Sequence, residues 1–338
     1  MSKPYRAVLV GAGGMGRAWG KNLRDSGRVE LAAWVDLRKD AADAAVSALE
    51  LKSALVTDDL QEALREARPD FVVDASVPEA HHDVTLQSLA AGIPVLGEKP
   101  MADTLDRARA MVAASESAGK LYMVSQSRRY NGCLAAYRRL VAERTGPLGI
   151  LSADFSLAAH FGGFRDEMDS PLLLDMAIHT FDAARYISGA DAVSVYCEEF
   201  NPPWSWYKGD ACATALFTMT GGLRFVYRGS WCAEGAPTSW EATWRAAGPN
   251  GTALWDGESA PIVSIAADDA GFRRRTEEST AAVSDVPSGI AGSLGDFLHA
   301  LETGIAPMGE CHENIKSLAM VFAALESSRT GRRVAVTA

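Results

Sequence analysis

Asp175 and His179 stand four residues apart in LLLDMAIHTFDAARY (172–186), a stretch otherwise rich in Leu, Met, Ile, Phe and Ala. An imidazole exchanges protons near neutral pH, and beside a carboxylate it suits general acid/base work. A helix advances roughly 100° per residue. Asp175, His179, Asp182 and Tyr186 then share one polar stripe, with Leu173, Ala177, Thr180, Phe181 and Ala184 turned toward a core. A histidine alone on a helix is more often structural than catalytic, so the case for His179 rests on its company.

That company begins at the amino terminus. YRAVLVGAGGMGRAWGKNL is a β-branched, apolar run, then glycines, then a helical pattern. Gly11, Gly13 and Gly16 make G-x-G-x-x-G in the strand–turn–helix setting that a dinucleotide needs. The first glycine permits the turn, the second lets backbone approach a pyrophosphate, and the third lets helix and strand pack closely. Gly14 and Met15 complete the loop, whose N–H groups and helix dipole favour an anion. A second strand, VELAAWVD, ends at Asp36, about where the fingerprint expects an acid for the ribose hydroxyls. An acid there favours NAD over NADP. Arg38, two residues on, is a cation able to serve a 2′-phosphate. The bland alternative is a glycine turn of any α/β protein.

Strand-like runs then alternate with helical ones. DFVVDAS (70–76), IPVLGEKP (93–100) and KLYMVSQS (120–127) read as strands, and ALVTDD as a weaker one. Helices are expected near 38–50, 58–67, 79–91 and 103–118. This alternation predicts a doubly wound parallel sheet with ligands at the strands' carboxyl ends. Ser76, Pro78, Glu98, Lys99 and Gln126 fall at such ends. His81 and His82 read as surface or cofactor-edge residues. Arg128, Tyr130 and Asn131 follow the last strand and enter the binding region or pack on the surface.

Glycine loop, EKP (98–100), Asp-x-x-x-His (175–179) and SSRTGRRVAV near the end occur in that order, and the chain resembles the glucose–fructose oxidoreductase/inositol dehydrogenase/rhizopine catabolism family, Gfo/Idh/MocA. The resemblance spans nearly the whole chain. It implies a Rossmann domain over 1–128 and an α+β substrate-binding and oligomerisation domain over 129–338, with substrate bound between them. It also implies that Lys99 holds the substrate oxygen, His179 is the general acid/base and Asp175 positions substrate or histidine. Many members carry paired glycines shortly before the Asp, where this chain has Ser170 and Pro171.

From about 130 the pattern changes. ILSADFSLAAH, AVSVYCEEF, ACATALFTMT, GLRFVYRGSW, EATWRAAG and GTALWDG read as strands separated by turns, which predicts a largely antiparallel open sheet with the 172–187 helix on one face. The resemblance implies that its uncovered face joins subunits, as a homodimer or homotetramer. His160, in a glycine-broken loop, is a candidate substrate contact together with Lys99, Arg128, Asp175 and His179. Six of the eight tryptophans fall here; most suit core or interface, while Trp204 and Trp206, in NPPWSWYKGD, are more open to a ligand or partner. A helix near 310–330 is expected to pack back on the first domain. The stretch 276–289 reads as the most linker-like.

Bulk properties narrow the class. A chain of 338 residues with net charge −10 argues against nucleic acid and anionic membranes. No apolar run suits a membrane span, and MSKPYRAVLVGAGG lacks signal-peptide architecture. The five cysteines show no metal-type spacing, so no metal is expected and reduced thiols in the cytoplasm are the simplest reading. The expected function is an NAD(P)-dependent dehydrogenase acting on a secondary alcohol of a sugar, cyclitol or related polyol. The alternatives are an NADP-linked reductase of a keto-sugar or imine, an enzyme that recycles a tightly held cofactor, and a dinucleotide-sensing regulator without turnover.

Overall fold

The computed structural model describes residues 3–51, 54–268 and 272–338. The chain divides into two compact units, Met1–Ser127 with Pro287–Ile315, and Arg128–Val286 with Lys316–Ala338.

In the first unit, strands β1 (Tyr5–Val10), β2 (Val29–Val35), β3 (Leu55–Thr57), β4 (Phe71–Asp74), β5 (Val95–Glu98) and β6 (Tyr122–Ser125) alternate with helices α1 (Gly14–Asp25), α2 (Lys39–Ala48), α3 (Leu60–Ala67), α4 (Pro78–Ala90) and α5 (Leu105–Ala118). The strands form one parallel sheet in the order β3-β2-β1-β4-β5-β6, the doubly wound arrangement with its switch point between β1 and β4. Successive strand residues face opposite sides, and all four residues of β4, β5 and β6 are buried, so both faces are covered there. That explains why these strands read as continuous apolar runs rather than alternating ones.

The second unit begins with α6 (Gly132–Leu140), capped by Asn131, whose side chain accepts from the amides of Cys133 and Leu134. Asn131 is thus a helix cap, and Tyr130 is buried. The strands are β7 (Ile150–Ser156), β8 (Ala192–Phe200), β9 (Cys212–Met219), β10 (Arg224–Ser230), β11 (Thr243–Gly248), β12 (Gly251–Trp255), β13 (Ile262–Ala266), β14 (Thr276–Thr280) and β15 (Val334–Ala335). They form one sheet in the order β14-β13-β12-β11-β7-β10-β9-β8-β15, antiparallel except where β7 and β10 run parallel. Helix α7 (Ile178–Ser188) lies on one face: Phe181 meets the rings of Phe217, Phe225 and Tyr227 at 4.9, 6.2 and 5.2 Å.

The structure adds to the sequence reading at three places. The first five residues of the linker-like 276–289 stretch form β14, paired along its length with β13. Every β14 side chain is exposed, so its polar composition hid a strand held mainly by backbone bonds, with Ser264 of β13 donating to Glu278 at 3.4 Å; a charged edge strand of this kind also resists further pairing. A helix absent from the sequence reading, α8 (Gly289–Thr303), packs in the first unit, with Phe297 against Phe71 at 5.2 Å. The final helix, α9 (Cys311–Thr330), belongs to the first unit only up to Ile315. Its body is tied within the second: Ser317 donates to Asp182, and Ser327 accepts from the amide of Cys197.

On β8, burial pushes the Glu199 carboxyl up to about 7; the Ser170 hydroxyl opposes this and the charge of Asp210 adds to it. The folded chain therefore holds this proton more tightly than the unfolded chain, whose carboxyl titrates near about 4.3. Stability falls as pH rises through that window. Glu199→Gln is expected to raise stability above pH ~7 by about 1–2 kcal/mol, discounted for the side chain's partial exposure, and to give no gain below pH ~4.5. Thermal melts of both proteins across that range check it; a gain independent of pH would contradict the assignment.

Candidate active site

The carboxyl ends of β1, β2, β4 and β5 gather the first group of expected residues. Gly11 has φ +98°, and a Cβ there would sit 2.5 Å from the Ala75 carbonyl oxygen. A Cβ on Gly16 would sit 1.9 Å from the Gly11 oxygen, while Cβ atoms on Gly13 and Gly14 would meet nothing within 4 Å. Thus the outer glycines close the turn against β4 and α1, and the middle pair leaves the backbone approachable. Met15 is exposed beside them. Asp36 Oδ2 accepts from the Ala12 amide at 2.6 Å and Oδ1 from the Arg38 amide at 2.8 Å, so the acid is braced against the loop. Arg38 is exposed. Loop, helix terminus and braced carboxylate suit the pyrophosphate and ribose of a dinucleotide.

Gly16→Ala is expected to strain this turn by about 1–3 kcal/mol and to weaken NAD binding, whereas Gly14→Ala folds normally. Calorimetric titration with NAD beside a urea melt checks the pair; equal behaviour of the two variants would contradict the packing argument.

Beneath the loop lies a buried polar set. Ser76 donates to Asp74 Oδ1 at 2.6 Å through its hydroxyl and at 3.1 Å through its amide, and His81 Nδ1 lies 2.9 Å from Asp74 Oδ2. His81 is buried, which corrects its reading as a surface residue: about one turn into α4 its ring pairs with a buried acid, 3.3 Å from the Ser76 hydroxyl. His82 stays near the surface and pairs with exposed Asp83. Glu98 is also buried. It accepts the Trp19 indole N–H at 2.7 Å and the Lys99 amide at 3.1 Å, and burial pushes its carboxyl up. Glu98 therefore ties β5 to α1, and leaves half-buried Lys99 as the cation next to the strand end.

The second group lies in the second unit. Residues Leu172–Ala177 form a π-helical turn that leads into α7. A π turn takes in one residue more than an α turn, so Asp175 and His179 do not keep the α-helical offset assumed for a single stripe. Nor is the stripe a seam. Asp182 is buried and accepts two bonds from Arg129, both 2.7 Å, and Tyr186 stacks under Arg129 and Arg138. The two halves of the motif thus separate: Asp182 and Tyr186 hold α7, while Asp175 lies in the π turn before it and His179 on its first turn.

Near Asp175 the fold assembles Arg128, already a candidate, with Arg165 and aromatic rings that the sequence reading missed. Arg165, from a 3-10 turn at Gly163–Glu167, donates to Asp175 Oδ2 at 2.6 Å and lies over the rings of Phe161 and Phe164 at 5.0 and 4.7 Å. Arg128 donates to the Trp240 carbonyl, sits 6.0 Å from that ring and 3.5 Å from Met176 Sδ, and lies 3.8 Å from Glu241. Burial holds the Arg128 guanidinium below its usual range, opposed by the charges of Glu241 and Asp175. Phe161 reaches Trp231 at 5.5 Å and Trp240 at 6.2 Å. The result is a carboxylate and two guanidiniums rimmed by aromatic rings. His179 is buried on the first turn of α7. His160 lies 2.8 Å from Glu234 and stacks on Trp206 at 3.8 Å. Trp204 is exposed, and Trp240 rather than Trp204 or Trp206 is the tryptophan beside Arg128. The one available signal for Arg165 was a cation in a glycine loop ten residues before Asp175.

This pairing of a dinucleotide-type parallel sheet with an open mixed sheet and a histidine-bearing helix defines a two-unit oxidoreductase. Residues 5–126 match the model of the oxidoreductase family with NAD-binding Rossmann fold, GFO/IDH/MocA, and residues 135–254 match the GFO/IDH/MocA C-terminal domain, so the chain belongs to that family and its first unit binds NAD. It is 29% identical to a Sinorhizobium fredii protein named "Uncharacterized protein y4oX", over 98% of this chain and 96% of that one. It is 32% identical to an inositol 2-dehydrogenase of Arthrobacter sp., over 58% of this chain and 57% of that one. Among solved structures, an Agrobacterium radiobacter oxidoreductase in complex with NAD+, L-tartaric acid and magnesium superposes with TM-score 0.86 at 21% identity, over 99% of each chain. No helix among the described residues is long and apolar enough to cross a membrane.

Proposed function

We propose that this protein oxidises a secondary alcohol of a sugar, cyclitol or related polyol, with NAD as hydride acceptor. The observation that carries this reading is Asp175, gripped by Arg165 at the π turn that leads directly into the helix bearing buried His179. Similarity to an inositol 2-dehydrogenase supports the substrate class.

In this reading Gly11, Gly13, Gly14, Met15 and Gly16 hold the pyrophosphate, Asp36 accepts from the ribose hydroxyls, and Ser76, Glu98 and Lys99 border the remaining part of the cofactor. When bound, the nicotinamide ring accepts the hydride. His179 takes the hydroxyl proton as the carbon–hydrogen pair departs, which leaves a carbonyl. The Lys99 ammonium stabilises negative charge as it develops on that oxygen. Asp175 positions the substrate or His179, and Arg128 and His160 contact the substrate. Phe161 and Trp240 offer apolar faces of the kind that pack on the C–H faces of a sugar ring. Arg38, exposed and two residues after Asp36, favours a second reading, an NADP-linked reductase of a keto-sugar or imine.

The same reading includes a homodimer or homotetramer formed through the second unit's sheet, on the face that exposes Tyr196 and Leu216, and a cytoplasmic location, where its five free thiols stay reduced. Solution mass tests the assembly.

The deciding experiment measures NADH formation across sugars, inositols and sugar acids, first with NAD and then with NADP. A strong signal with one polyol class supports the reading and settles the cofactor. Silence across the panel, with NAD binding intact, would overturn the substrate class and favour a sensor.

A further inference from the structure

The first unit carries a second set of chemically capable side chains, independent of the proposed reaction. Where the chain enters α9, Glu310, Cys311 and His312 turn their donor atoms together. Cys311 Sγ lies 3.0 Å from Glu310 Oε1 and 3.5 Å from His312 Nδ1, and that nitrogen lies 2.7 Å from the same carboxylate oxygen. The edge of a tetrahedron around zinc, with bonds near 2.0–2.3 Å, is about 3.4 Å. The three atoms thus already mark out most of one tetrahedral face.

Two further features point to a cation rather than a chance cluster. Glu116, from α5, lies 2.9 Å from His312 Nε2. A carboxylate on the far ring nitrogen orients a metal-binding histidine and raises its basicity, and here it turns Nδ1 toward the other two donors. The backbone beneath is also fixed. The Val124 amide donates to the Gly309 carbonyl at 2.8 Å, Met123 bridges Glu310, and a Cβ on Gly309 would sit 2.1 Å from the Val124 oxygen. The donor set is therefore preformed on β6, with Cys311 buried and His312 half exposed as the route of entry.

We propose that Glu310, Cys311 and His312 bind a divalent cation of the zinc class, with Glu116 as the orienting outer carboxylate and water as the fourth ligand. A mixed sulfur, nitrogen and oxygen set selects zinc-like ions over magnesium or calcium. On binding, the Cys311 thiol gives its proton to solvent and the sulfur–metal bond forms. The ion then fixes the His312 ring against Glu116 and so ties the Pro287–Ile315 return segment to α5, a stabilising rather than a redox role.

The test uses the purified full chain, stripped with a chelator and titrated with Zn2+ against a chromophoric competitor, then with Co2+. The expected result is one ion per chain at a Kd on the order of micromolar or tighter, with a thiolate-to-cobalt charge-transfer band. Cys311→Ser should abolish that band and the binding. Glu116→Gln, on an exposed side chain that does not bear on folding, should weaken affinity by about 10–100-fold. No binding at micromolar metal, or stoichiometric binding that survives both substitutions, overturns the proposal and leaves His312 as an ion-paired histidine between two carboxylates.

Discussion

Replacing His179 by alanine is expected to lower kcat by roughly 10²–10⁴-fold while NAD affinity stays within about twofold. The expectation follows from where the residue sits. His179 belongs to the second unit, on the first turn of α7, whereas the glycine loop, Asp36 and the Glu98–Trp19 tie that shape the dinucleotide site all lie in the first. A proton acceptor acts on the chemical step, so its loss appears in kcat and in the pH–rate profile rather than in cofactor binding. Lys99→Met is expected to cost about 10²–10³-fold, because in the proposed mechanism it removes stabilisation of a charge that develops only on the way to product. Single-turnover formation of NADH, beside NAD titration of each variant, separates chemistry from binding. An unchanged single-turnover rate in either variant would remove that residue from the mechanism.

Arg129→Ala is expected to destabilise the protein by about 3–5 kcal/mol without touching the proposed chemistry directly. Arg129 and Asp182 are almost fully buried, with side chains 11% and 3% exposed, and they form a two-bond fork. Removing the guanidinium strands a carboxylate away from water, with the Ser317 hydroxyl still donating to Oδ1 at 2.7 Å. The cost comes from the orphaned charge, not from the net worth of the pair. The double variant Arg129→Met with Asp182→Leu should therefore recover most of the loss. Urea melts of the singles and the double form the cycle. A double variant as unstable as the sum of the singles would show that packing, rather than charge, dominates there.

These two predictions divide one short motif, and the division shows what could be read from sequence. In DMAIHTFDAARY both acids looked alike, four residues before and three after the histidine. Only long-range partners distinguish them. Arg129, 53 residues away, claims Asp182, and Arg165, from a glycine-flanked turn, claims Asp175. The π turn shifted the angular relation as well, and no local periodicity announces a π turn, because the residues that favour it are those of an ordinary apolar helix. His81 was misjudged for a similar reason. A histidine after Pro78 at a helix start resembles a surface residue until the buried Asp74 beneath it is known.

The metal-type cluster shows the same limit from another side. Cysteine spacing argued against any metal, and spacing between cysteines is blind to a set of one cysteine with a neighbouring carboxylate and imidazole, and to an orienting carboxylate such as Glu116 that arrives from another helix. Likewise TEEST, polar throughout, has no inward face to alternate with, so its pairing with β13 left no hydrophobic trace.

By itself, then, the sequence determined the parallel sheet with its glycine loop, the antiparallel character of the second half, and the order of EKP and Asp-x-x-x-His. These depend on local preference and short-range periodicity: glycine where a side chain would strike Ala75 or Gly11, and apolar runs where both sheet faces are covered. Tertiary structure alone decided which charged groups are spoken for, that Pro287–Ile315 returns to the first unit, and which aromatic rings pack on Arg165 and Arg128. Those outcomes depend on contacts between residues far apart in the chain, where burial makes each charge require a specific partner and the folded chain alone supplies it.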